Sequence, residues 1–150
     1  MEFNSVDEVL DYAINSEQNA ADFYRDLADK VDNPGISRMF MGFSGEEMGH
    51  KKKLEAVKSG KTLKNDSKRV LNMKIAETLT PVEPQKDMSL QEALIVAMQR
   101  EKEAFALYNE LASVTSDDNI RSTFEMLAQE EAKHKLRFEV EYDEMIMSEN

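Results

Sequence analysis

The chain repeats itself. Laying residues 5–55 over residues 89–139, an offset of 84, pairs Ser5 with Ser89, Glu8 with Glu92, Glu17 with Glu101, Tyr24 with Tyr108, Phe40 with Phe124, Glu46 with Glu130, Glu47 with Glu131 and His50 with His134, all identical. Two copies of one unit must find a fold that buries the same face twice. That unit reads as helical. The prolines, with Gly35 and Gly60, fall at Asn33-Pro34-Gly35, at Gly60, and at Pro81 and Pro84, leaving long runs between them that read as helical. Helices are predicted over 5–32, 34–59, 89–115 and 118–147. Ser5 with Glu8 and Ser89 with Glu92 have the spacing of a capping box, and Asn33 caps the second helix with proline at its first position. Each half is then one helical hairpin, 5–59 and 89–147. The link between them, 60–88, carries no readable motif, but extended it can run the length of a helix of about 40 Å. The fold predicted is all-α: a four-helix bundle with one long crossover, a single domain over 1–150.

Composition narrows the chemistry. With no cysteine there is no disulfide and no thiolate ligand, so a bound metal must sit on histidine, carboxylate or main-chain oxygen. The formal charge of −11 repels nucleic acid and anionic lipid alike. Met1-Glu2-Phe3-Asn4 offers no basic stretch before an apolar run, and no uninterrupted apolar segment reaches membrane-spanning length. The expectation is a soluble, cytoplasmic protein. The methionines read as gap fillers of the core.

Each predicted helix carries an inward stripe of alternating three- and four-residue steps, such as Leu10, Ala13, Glu17, Ala20, Tyr24 and Phe40, Phe43, Glu47, His50, Leu54. Glu17, Glu47, Glu101 and Glu131 fall in these stripes near mid-helix, together with both histidines, His50 and His134. Antiparallel packing brings all six to one level. Four ionised carboxylates taken out of water together cost several kcal/mol each unless cations compensate them. Without metal, their repulsion and desolvation are expected to raise all four pKa values. Glu47 and His50, and Glu131 and His134, are three apart on one face, so each carboxylate and imidazole can reach the same ion. Glutamate occupies 19 of 150 positions, so one such pair would be unremarkable. Two copies in register, each with a further glutamate thirty residues upstream, match the arrangement of di-iron and di-manganese carboxylate bundles. Nitrogen and oxygen donors without sulfur suit two iron ions or manganese, with zinc a substitute in a purified sample.

With these residues in place, the helical part of the chain resembles the rubrerythrin branch of the ferritin-like di-iron proteins. The resemblance implies that Glu47 and Glu131 bridge the two ions, that Glu17 and Glu101 are terminal ligands, and that His50 and His134 bind one ion each. It implies further that Tyr24 and Tyr108 hydrogen-bond ligating carboxylates. Rubrerythrins proper add a cysteine-bearing rubredoxin module, absent from these residues, so electrons are expected from a separate donor protein. They also carry an extra glutamate where this chain has Ala104, while Glu103 falls off the core stripe, which predicts a simpler, near-symmetric site. The function expected is reduction of hydrogen peroxide or dioxygen. A ferroxidase or iron-handling role is the alternative, and a bundle that metal merely stabilises is a third. A homodimer is compatible with all three.

Overall fold

The computed structural model describes residues 1–80, 83–85 and 87–149. Helices α1 (Val6–Lys30) and α2 (Pro34–Gly60) form the first hairpin, and α4 (Leu90–Val114) and α5 (Asp118–Glu149) the second. Contacts within each hairpin dominate the packing. The helix starts follow capping chemistry. Ser89 accepts from the Glu92 amide while the Glu92 carboxylate accepts from the Ser89 amide, and Asn33 accepts from Gly35 and Ile36. At α1 only half of the expected box forms: Ser5 accepts from the Glu8 amide, but Glu8 turns to the Asn4 amide at 2.6 Å. Between the hairpin helices, Ser37 and Ser44 of α2 donate to the carbonyls of Ala28 and Ala21 at 2.7 Å, which holds the two backbones close.

The crossover differs from the extended chain that its length allows. It contains two 3₁₀ turns, Thr62–Asp66 and Lys74–Glu77, and the short helix α3 (Ser67–Leu71), and it buries Leu63, Val70, Met73, Ala76 and Leu79. Acidic residues pin it. Glu110 accepts from the amides of Lys74 and Ile75 at 2.7 and 3.0 Å, Glu103 accepts from the Thr80 amide at 3.2 Å, and buried Asp66 accepts from Ser116 N and Oγ at 3.0 and 3.1 Å. Pro81 lies outside the described residues. Gly60 is the last residue of α2, and the left-handed position beyond it falls on Lys61, with φ 58°. A side chain there costs more than glycine does, so Lys61→Gly is expected to raise the unfolding free energy by about 0.5–1 kcal/mol. Chemical denaturation would measure this, and an unchanged midpoint would mean that the turn is not strained.

Two apolar clusters fill the bundle. One gathers the start of α1, the end of α2, the crossover, the end of α4 and the start of α5, around Leu10, Leu54, Leu63, Leu111 and Phe124. The other gathers the opposite helix ends, around Tyr24, Phe40, Leu94 and Phe138. This pairing of ends makes α1 run with α5 and against α2 and α4. Between the clusters lies a single polar layer.

Candidate metal centre

The layer is built from mid-helix positions, where helix geometry fixes side-chain direction most tightly. Glu17 from α1, Glu47 and His50 from α2, Glu101 from α4, and Glu131 and His134 from α5 all converge there, each at most 2 % exposed. Donor atoms of Glu17, Glu47, His50 and Glu131 lie within 4.8 Å of one another, and so do those of Glu47, Glu101, Glu131 and His134. The two groups share Glu47 and Glu131. Both imidazoles aim Nδ1 inward. His50 Nδ1 is 3.1 Å from Glu131 and 3.2 Å from Glu47, and His134 Nδ1 is 3.4 Å from Glu47 and 3.6 Å from Glu131.

Bonds from outside the layer fix these orientations. The Nε2 atom of His50 pairs with Glu130, and that of His134 with Glu46 at 3.2 Å, so each histidine is held by a carboxylate of the other hairpin. Tyr24 donates to Glu101 and Tyr108 to Glu17, each at 2.5 Å, again across the halves. Phe43, half-buried, lays its ring over His134 with centroids 4.1 Å apart. Burial first, then the facing glutamate, pushes both phenols well above their usual pKa, so they keep their protons.

A seventh charged residue enters the layer. Arg100, 7 % exposed, places Nη1 3.1 Å from Glu101, 3.2 Å from Glu131 and 2.6 Å from Glu47, while Nη2 lies 3.4 Å from Glu17. The close approach to Glu47 is out of line for a hydrogen bond. Arg100 breaks the near-symmetry expected of the site, because its repeat counterpart is Ser16. It also divides the carboxylates. Burial raises the pKa of Glu131, the neighbouring Glu101 carboxylate adds to the rise, and burial likewise raises Glu17. Burial pushes Glu47 the same way, but the guanidinium and the two histidines outweigh it and hold Glu47 well below the usual range. The expected uniform rise of all four is therefore corrected. Burial pulls His134 down, yet the facing carboxylates of Glu101 and Glu47 raise it to about 10, and the carboxylates of Glu131, Glu17 and Glu47 raise His50 in the same way.

Arg100 stands three after Ala97 and four before Ala104, both stripe residues, so its position fits the core period, but periodicity alone does not mark a guanidinium as inward-facing. Glu46 and Glu130 stood among the identical pairs without a role. Glu103, correctly off the core stripe, is half-buried and accepts from Tyr12 as well as from the crossover.

The donor set fits a pair of cations. Among the described residues, Glu17 Oε2, Glu47 Oε1 and Oε2, Glu101 Oε2, Glu131 Oε1 and the Nδ1 atoms of both histidines are buried without a hydrogen-bond partner. Buried polar atoms left this way are costly, and these are the atoms that would ligate.

Comparison with known proteins agrees with this architecture. A crystal structure from Thermotoga maritima, described as a ferritin-like diiron-carboxylate protein, superposes with a TM-score of 0.74 over 97 % of this chain and 99 % of that one, at 20 % identity. At that identity the likeness shows the ferritin-like fold alone. No curated protein matches the chain in sequence. Residues 8–142, spanning both hairpins and the crossover, match the sequence profile of the family described as Rubrerythrin, and the chain belongs to that family.

Proposed function

We propose that the chain is a di-iron oxidoreductase that reduces hydrogen peroxide or dioxygen with electrons from a separate donor protein. The observation that carries this reading is the sharing of Glu47 and Glu131 between two buried groups of candidate ligands, which would set two ions side by side. Glu17, Glu47, His50 and Glu131 would hold one ion and Glu47, Glu101, Glu131 and His134 the other. The donor chemistry fits iron, with manganese the nearest substitute. When bound, two adjacent ferrous ions can supply an electron each to an O–O bond. The protein's part is positioning. Tyr24 and Tyr108 restrain Glu101 and Glu17, Glu46 and Glu130 fix the imidazole planes, and the Phe40–Phe138 cluster keeps water from one side of the layer.

Anaerobic loading with iron(II) followed by stopped-flow oxidation tests the proposal. About two irons per chain are expected, oxidised faster by peroxide than by dioxygen and retained through repeated turnovers. Faster oxidation by dioxygen with release of iron would make the chain a ferroxidase. Bound but redox-silent metal would reduce it to a metal-stabilised bundle.

A further inference from the structure

We propose that Arg100 is a built-in competitor for the metal ions: its guanidinium neutralises the ligand carboxylates in the metal-free protein, and metal loading drives it outward into the cavity between α1 and α4, beside Glu103. The inference rests on the metal-centre reading and concerns how tightly that centre binds. One buried cation within 3.4 Å of all four glutamates occupies the electrostatic role that two divalent ions would fill. Inside the same layer, guanidinium and metal would repel at short range in a medium that screens poorly.

The way out is already built. A cavity of about 230 Å³, lined by Tyr12, Asn15, Ser16, Asn19 and Glu103, opens on Arg100 itself and has room for several waters, more than a guanidinium head needs. Arg100 Nη2 already donates to the Ser16 carbonyl on the cavity wall at 3.2 Å, and Arg100 Nε has no hydrogen-bond partner among the described residues. Glu103 lies three residues on along α4, within reach of a rotated arginine without backbone movement. The repeat points the same way. The six candidate ligands and the tyrosines and glutamates that steady them are identical between the halves, whereas Arg100 and Glu103 stand opposite their counterparts Ser16 and Asn19, and all four line this cavity. The two halves thus diverge where the cation needs a path and an acceptor.

Zinc, which is redox-silent, serves as the probe, with affinities taken from competition against a chelator and melts recorded with and without zinc. Arg100→Met and Arg100→Gln are each expected to bind zinc at least about tenfold more tightly than the parent, because the competing charge is gone. Their metal-free forms should melt lower and gain more from zinc, while Arg100→Lys, which keeps the charge, should bind like the parent. A residue that only fills space would lower both melts together and leave affinity unchanged, and that result, or weaker binding by both neutral variants, overturns the inference. A crystal structure of the zinc-loaded parent decides independently of how the variants fold. The guanidinium should lie within hydrogen-bond distance of Glu103, and finding it still among the four carboxylates overturns the inference while leaving the metal centre intact. A parent that binds no zinc or iron would overturn the centre itself and the inference with it.

Discussion

Replacing Glu131 with alanine is expected to cost the protein both of its metal ions, whereas replacing Glu17 should cost only one. The difference follows from geometry, since Glu131, like Glu47, belongs to both ligand groups and Glu17 to one. After anaerobic loading with iron(II), elemental analysis should fall from about two per chain to near zero in Glu131→Ala, and to about one in Glu17→Ala. Breaking a buried ion pair ordinarily costs about 3–5 kcal/mol, because the remaining partner is left uncompensated. Here Arg100 keeps three other carboxylates, so the metal-free Glu131→Ala protein should stay folded. Circular dichroism checks that condition before the metal is counted. Equal losses from the two variants would mean that the groups are not joined through Glu131.

Protons give the second large effect. The folded pKa of His134 is raised from 6.5 to about 10, so its contribution to stability is complete below about 6.5 and disappears as pH climbs through 10. Glu17 and Glu131, also raised, favour the folded state at low pH and lose that advantage as pH rises through their elevated values. Glu47 runs the other way. Its depressed pKa contributes stability above the ordinary value of 4.5 that is lost on further acidification. The metal-free protein should therefore be most stable between about pH 4.5 and 6.5 and weaken steadily towards pH 10. Metal binding must expel the histidine protons, so the metal's stabilising increment should grow over the same alkaline range. Thermal melts with chelator and with zinc at each pH measure both trends, and calorimetry in buffers of different ionisation enthalpy counts the protons released. A chelated protein whose melting temperature holds level from pH 6.5 to 10 would contradict the assignment.

Much of this architecture was legible in the residues, for reasons that separate it from what was not. Glu17, Glu47, His50 and their counterparts could be placed together because a period of 3.6 fixes which side chains share a face, and the repeat supplied a second, independent reading of the same face. The crossover resisted because short helical turns such as Ser67–Leu71 owe their form to partners distant in sequence, Glu110 beneath Lys74 and Ser116 beside Asp66, and not to local periodicity. Arg100 resisted for a different reason. Its position matches the core period, but whether a guanidinium turns inward depends on what already lies inside, which composition does not reveal. The first capping box failed on a detail of the same kind: Asn4 competes with Ser5 for Glu8.

The bonds that cross between the hairpins bear on how the molecule assembles. Each histidine is steadied by a glutamate of the opposite half, and Glu101 and Glu17 each by the opposite tyrosine. A lone hairpin therefore holds the first half of a sentence whose grammar is completed elsewhere: it owns three donors but none of the partners that aim them. Such a centre should act as a coincidence detector for docking. High-affinity binding should appear late in folding, after the crossover has closed, and two hairpins supplied as separate peptides should become visible to metal only once they have found each other.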